Sequence, residues 1–478
     1  MSHVTSDQRR ATISFGTEGW RGIIADDFTV ESVQRLSQAI AAYFHEHAQG
    51  PVRLAVGYDT RFLSDRMAAL VAEVLAGNGC EVWVAAHSSP TPALSTFVRH
   101  QQLTGGVMVT ASHNPPQFNG IKVKTSDGGS IDPEATQRIE ALLDQRPVQR
   151  VPWAEAAAQR RLHRVDILPA YLAGLRSFVR LASIRRAGLR VVVDAMHGTG
   201  NRLVERAVGK GRTRLTTLHA EPDPLFGGHA PEPIPRYLTE LLRTTKRSRA
   251  HLGLATDGDA DRIGAARPDG RFLNPGQILC VILLHLLEER GLRGGVVTTI
   301  SNIAWIPAMA QEFGLKLYEV PVGFKHIAKL MREDHILIGG EESGGIGIAA
   351  YLPERDGILL GLLLMELLAM RGQSLLTILR QLERKYGTFA YGRVDLHIPE
   401  AARDQLMRRL TTDPPTTIAG RPIQTTKTYD GLKLIGRQRE WILFRLSGTE
   451  PILRIYAEAP SETAVQRLLT WGKRLAHA

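Results

Sequence analysis

The feature that most constrains the fold is a rhythm. Short apolar runs, each ending in a glycine-rich or polar loop, alternate with helical patterns, and the series restarts along the chain. In the first series Val30, Val33, Leu36, Ile40, Tyr43 and Phe44 recur at helical spacing over residues 30–47. "VRLAVGY" then reads as a strand, and "SDRMAALVAEVLAGNG" as a helix opened by Ser64 and closed by glycine. "CEVWVAA" and "GGVMVT" read as further strands. This alternation predicts a mostly parallel sheet covered by helices.

The polar stretch "QRPVQRVPWAEAAAQRRLHR" shows no strand pattern and reads as a connector. A second series runs from "LRVVVDAMHGTGN" to "HLGLATDGDADRIGAA", and a third through "GGVVTTIS", "LKLYEVPVG" and "HILIGGEESGG". The run "ILLGLLLMELLAM" is too short to span a bilayer and holds Glu366, which predicts a core helix. From about residue 386 the pattern changes. "REWILFRLSG" and "PILRIYAEA" read as neighbouring strands, and the last segment as a helix capped by Ser461. The expected units are 1–150, 165–268 and 269–385, all α/β, and a smaller α+β unit, 386–478.

In open α/β sheets ligands sit beyond the carboxyl ends of strands, so the loops are where chemistry is expected. "ATDGDADR" follows an apolar run. In an extended backbone Asp257, Asp259 and Asp261 would point one way, and their repulsion would call for a cation. Oxygen-only ligands favour Mg²⁺ or Mn²⁺. A calcium EF-hand loop does not fit, because Arg262 stands where it needs glycine and Pro268 where it needs glutamate. "TASHNPPQFNG" places Ser112 and His113 in a proline-stiffened loop after a strand.

Other loops carry groups suited to anions and sugars. "FGTEGWRG" holds Arg21 between glycines, and "RLSGTEP" gathers Arg445, Ser447, Gly448 and Thr449, a set suited to a phosphate dianion. "GEESGG" offers Glu341, Glu342 and Ser343 to sugar hydroxyls, and "PVGFKHI" places Lys325 at a strand end. A metal triplet, a stiff serine loop and cationic loops together predict phosphoryl transfer, with Ser112 as the phosphoryl carrier. A Ser–His hydrolase fits poorly, since there is no G-x-S-x-G and sequence neighbours such as Ser112 and His113 usually point apart.

The formal charge of +11 raises the question of nucleic acid. The arginines are scattered in sequence with no basic stripe, so no nucleic-acid partner is expected, and cations converging on an anionic small molecule are. Two distant cysteines and no apolar leader fit a reducing cytoplasm, and no membrane association is expected.

Five ordered stretches, "GTEGWRG", "TASHNP", "DGDADR", "GEESGG" and "RLSGTEP", make the chain resemble the α-D-phosphohexomutases, the phosphoglucomutases and phosphomannomutases. The resemblance implies four domains around a central cleft, three of mixed α/β/α type and a smaller C-terminal lid. It implies that Ser112 carries phosphate and that Asp257, Asp259 and Asp261 hold one Mg²⁺ with it. Arg21 and Arg262 would steady the phosphoserine, and Lys122 would be the general acid/base with His113 close by. Glu341, Ser343 and Lys325 would grip the sugar. Arg445, Ser447, Gly448 and Thr449 would hold the phosphate that is not transferring.

The implied activity is interconversion of hexose 1- and 6-phosphates through a hexose 1,6-bisphosphate, by a monomer or homodimer. Glucose 1,6-bisphosphate would serve as activator and intermediate. The family's glucosamine mutases usually carry Gln where Glu342 stands in "GEESGG", and "GFK" at 323–325 resembles the glucose-directed members. Glucose phosphate is therefore the expected substrate, with mannose phosphate second. A phosphoglucosamine mutase and a metal-dependent phosphatase are the alternatives.

Overall fold

The computed structural model describes residues 11–16, 18–446 and 452–477. Four sheets follow one another along the chain. The first three share one plan, and they are mixed instead of mostly parallel. In the second sheet Arg190–Asp194, Arg214–Leu218 and Leu252–Thr256 run parallel, and Ile263–Ala266 and Phe272–Leu273 continue it antiparallel. The third repeats this with Gly295–Thr299, Leu317–Val320 and Ile336–Gly340, then Ile346–Ile348 and Leu352–Arg355. In the first, Arg53–Tyr58, Glu81–Ala85 and Gly105–Val109 are parallel, with Phe118–Thr125 and Trp20–Ile23 antiparallel beyond them. The reason is connection length: parallel neighbours need a crossover helix, whereas the last strands return through short turns.

The stretch read as a strandless connector is structured. It forms helix Trp153–Ala158 and strand Leu162–Val165, which pairs in parallel with Glu81–Ala85 at the edge of the first sheet. Only Leu162 of that strand is buried, so its hydrophobic signature is too weak to read. Ser64 begins helix Ser64–Gly77 but does not cap it; its hydroxyl donates to Asp59 Oδ1 at 2.8 Å. The fourth sheet is antiparallel throughout, and Trp441–Leu446 neighbours Ile452–Ala459. Ser461 Oγ accepts from Ala464 N at the start of helix Glu462–His477.

Helix Gly357–Arg371 is apolar on every face because it is buried between the second and third units. Asp356 caps its start by accepting from Leu359 N at 2.9 Å. Its one acidic side chain, Glu366, is fully buried and accepts from Arg180 N at 2.7 Å, with His285 Nε2 3.0 Å away. One continuous apolar core runs through all of the first three units, from Leu94 and Phe97 through Leu172, Leu254 and Leu279 to Leu363. The fourth unit has its own core and meets the third through a small cluster, Ile300, Trp441, Leu443 and Tyr456. The first three units are thus joined by shared burial, the larger driving force, and the fourth by a narrow junction.

Arginines scattered in sequence also gather in space. Arg190 pairs in register with Arg214 and donates to the Arg249 carbonyl at 2.8 Å, at the start of the parallel strands and so at the opposite end of that sheet from Asp257. Among the described residues no single helix is long and apolar enough to cross a membrane.

Candidate active site

Three of the loops singled out by sequence occupy one equivalent position. Each follows the third parallel strand of its sheet and precedes the antiparallel return: Ser112 after Gly105–Val109, the aspartates after Leu252–Thr256, Glu341 after Ile336–Gly340. Three repeats of one topology therefore deliver three different chemistries to a shared cleft. Its lining includes Arg21 and His113 from the first unit, Arg262 from the second, Glu341, Glu342 and Ser343 from the third, and Arg393 from the fourth.

Ser112 is fully buried and has φ of 53°, a left-handed conformation uncommon outside glycine. The prolines alone do not hold it. Arg61, itself buried, donates to the carbonyls of Ser112 and Asn114, each at 2.6 Å, and to those of Pro115 and Phe118 at 2.9 and 3.0 Å. Asp59 completes the base: it accepts from Arg61 Nε at 3.1 Å and from Thr110 Oγ1 at 2.6 Å, and Thr110 Oγ1 accepts from Ser112 N at 2.8 Å. Neither Asp59 nor Arg61 was singled out in the sequence, since "GYDTRF" has no loop signature that marks it. Gly258 lets the second unit approach: a Cβ there would lie 2.7 Å from the Ser112 carbonyl. Ser112 Oγ donates to Asp257 Oδ2 at 2.7 Å.

The triplet is not extended. Residues 257–262 form a turn, with Ala260 at φ of 56° and its N–H donating to the Asp257 carbonyl. The three side chains still converge, with ligand oxygens within 4.8 Å of one another. The turn achieves this by reversing the chain between antiparallel strands. The charge is met in part by the protein. Lys122 Nζ lies 2.7 Å from Asp259 Oδ2 and 2.5 Å from Asp261 Oδ2, and Arg355 contacts both Asp261 and Glu18. Burial pushes Asp257 up to about 7 and Asp261 well above the carboxylate range, with Asp259 adding to both by repulsion. Asp259 itself is held low, because Lys122 and Thr91 outweigh its burial. Burial alone would depress Lys122, but Asp259 and Asp261 keep it a charged ammonium.

Asp259 Oδ1 and Asp261 Oδ1 are buried and accept no hydrogen bond. Unsatisfied buried carboxylate oxygens beside a serine hydroxyl are the donor set a hard divalent cation takes, so these residues fit one.

The remaining predicted residues fall as follows. Arg21 donates to Asn114 Oδ1 at 2.6 Å, and Arg262 N donates to Asp257 Oδ1 at 3.0 Å. Burial and the charges of Arg262, Arg21, Arg454 and Arg393 push His113 well below its usual value, so it is a neutral imidazole, and its Nδ1 has no partner. Glu341 Oε1 accepts from Gly323 N at 3.0 Å; burial and Glu342 raise it to about 7. Lys325 lies in the first turn of helix Phe324–Glu333 instead of a strand end, half-buried, with Glu140 and Glu134 as its nearby charges. Arg445 is buried and donates through Nε to Asp430 at 2.9 Å, and Asp430 also accepts from Val322 N of the third unit. Ser447, Gly448 and Thr449 lie outside the described residues. Arg355, Glu18 and Arg393 were missed by sequence reasoning; Glu18 lay inside a quoted loop, and the other two had only their charge to mark them.

Family models for phosphoglucomutase/phosphomannomutase α/β/α domains I, II and III match residues 12–149, 169–270 and 274–386, and the C-terminal domain model matches 427–470. A Thermococcus kodakarensis phosphoglucomutase/phosphomannomutase is 30% identical over 96% of this chain and 98% of its own. A Sulfurisphaera tokodaii phosphoglucosamine/phosphogalactosamine mutase is 31% identical over 96% of this chain and 98% of its own. A crystal structure from Thermus thermophilus, named provisionally as a phosphomannomutase, is 36% identical, with a TM-score of 0.86 over 98% of this chain and all of its own.

Proposed function

This chain belongs to the phosphoglucomutase/phosphomannomutase family of the α-D-phosphohexomutases, isomerases that transfer a phosphoryl group within their substrate, and we propose that it interconverts hexose 1- and 6-phosphates, with glucose the principal sugar and mannose second. The observation that carries this reading is the Ser112 hydroxyl 2.7 Å from Asp257, with the nearby His113 and Arg262 lining a cleft to which all four units contribute.

In the proposed reaction the P–Oγ bond of phospho-Ser112 breaks as a bond from phosphorus to the free sugar hydroxyl oxygen forms. The hydroxyl proton passes to a base. His113 is neutral with an unpartnered Nδ1, which supports it as acceptor; Lys122, held as an ammonium, suits the role of donor and charge partner. The bisphosphate then turns and returns its other phosphoryl to Ser112, which regenerates the enzyme and restores the proton. Asp257, Asp259 and Asp261, with Ser112, would hold Mg²⁺, which would neutralise charge on the transferring group. Arg21, Arg262 and Arg355 add fixed positive charge around the same position, and Arg445 with the loop after it would take the idle phosphate. The two cysteines are buried and free, which suits a cytoplasmic enzyme.

A second reading, a phosphoglucosamine mutase, is favoured by the relatives named as acting on glucosamine phosphate. Against it stands Glu342, where the family's glucosamine mutases usually carry Gln; its Oε2 accepts from Ser301 Oγ at 2.6 Å and Thr299 Oγ1 at 3.2 Å.

The test incubates the protein with Mg²⁺, a trace of glucose 1,6-bisphosphate and, in turn, the 1-phosphates of glucose, mannose and glucosamine. Ranking kcat/KM identifies the sugar. Release of inorganic phosphate with no 6-phosphate product would point to a phosphatase and defeat the mutase reading.

A further inference from the structure

A second cavity, of about 430 Å³, opens where the third and fourth units meet. Lys433 lines it. The side chain is 5% exposed, its Nζ donates to the Ile300 carbonyl at 2.5 Å, and it sits 3.9 Å over the Trp441 ring. No carboxylate among the described residues forms an ion pair with it. Burial pushes this ammonium down to about 8, with Lys427 adding to the fall and the nearby charges of Glu319, Glu458 and Glu342 opposing it. Buried charges in folded proteins are normally paired.

The carboxylate in the wall cannot serve as that partner. Glu319 is already taken by Lys427 Nζ at 2.6 Å and Tyr429 Oη at 2.5 Å. Exposed Arg439 stands on the rim. Thr298, 3% exposed, also lines the cavity, and its Oγ1 has no hydrogen-bond partner. Lys427, Lys433 and Arg439 set against Glu319 leave two positive charges, the complement of a phosphate dianion, with a hydroxyl beside them.

We propose that this cavity binds a small phosphate-bearing anion distinct from the substrate, and that its occupancy braces the junction between the third and fourth units. The coupling path is short. Thr299, in the cavity wall, donates to Glu342 in the sugar loop at 3.2 Å. Lys433, of the fourth unit, bonds Ile300 of the third. An anion seated here therefore touches both the junction and the residue behind the sugar loop.

The experiment titrates inorganic phosphate into the full-length protein and follows tryptophan fluorescence. A saturable change is expected that Trp441→Phe removes. The rim variant Lys427→Gln/Arg439→Gln should weaken it roughly tenfold or more, as the loss of charge-assisted hydrogen bonds requires. That variant should leave KM for the hexose phosphate unchanged, because neither side chain lines the catalytic cleft. Lys433→Met should abolish the response; if it fails to fold, the rim variant still decides. Absence of a Trp441-dependent change, or equal affinity in the rim variant and the parent, overturns the proposal.

Discussion

Ser112 and Asp257 stand 145 positions apart in the chain, and the serine hydroxyl donates to the aspartate carboxylate at 2.7 Å. The first and second units are thus joined at the reacting atom itself. Substitution of Ser112 by alanine should remove turnover by about 10³-fold or more, as loss of a covalent carrier does. The melting temperature should stay close to that of the parent, since the loop is held by its backbone. Near-parental rates in this variant would assign the carrier elsewhere.

Arg61 tests the base under that loop. Arg61→Met leaves Asp59 buried without its charge partner and frees four carbonyls, which should cost about 3–5 kcal/mol of stability. Arg61→Lys, which keeps the charge but not the fork, should fold and lose kcat by about 10²-fold with little change in KM, because it misplaces Ser112 and not the sugar. A loss confined to KM would show that the clamp does not position the serine.

Metal removal should silence turnover and leave the protein folded, because Lys122 and Arg355 already meet part of the triplet's charge. Dialysis against a chelator, an activity assay and circular dichroism check both halves, and added Mg²⁺ should restore the rate. Asp259→Asn should weaken Mg²⁺ binding at least about tenfold by calorimetry. Full activity after thorough chelation would exclude the metal role.

Glu342→Gln keeps the shape of the sugar loop and removes its charge. Because the family's glucosamine mutases usually carry Gln there, kcat/KM for glucosamine 1-phosphate should rise about tenfold relative to glucose 1-phosphate. An unchanged ratio would assign sugar choice to other residues.

Glu458 carries a pH dependence. It accepts from Ala304 N at 3.0 Å across the junction and from Trp441 Nε1 at 3.0 Å within its own unit, and burial raises it to about 7 despite Lys433 nearby. A carboxyl raised on folding stabilises while protonated. Its contribution is complete below its ordinary value near 4.5 and is lost as pH rises through about 7, up to about 3 kcal/mol in all. Denaturant melts of the fourth unit from about pH 5 to pH 8 should show this decline, and Glu458→Gln should flatten it.

What the sequence determined was local. Strand–loop–helix rhythm is written in apolar spacing, and the serine loop, the aspartate triplet and the GEESGG loop were legible because loops that bear chemistry break that rhythm with small and polar residues. The edge strand Leu162–Val165 was not legible, since one buried residue gives no period. Only the tertiary structure decided which side chains meet. The turn at Ala260 gathered aspartates that an extended chain was expected to align, and Arg61 reached across from its own strand end to hold Ser112. Arg355 was carried to Asp261 from another sheet, and Lys325 was placed in the first turn of a helix instead of at a strand end. The reason is physical: spacing along a chain fixes direction over a few residues, whereas contacts between units arise from the buried core that sets one sheet against the next.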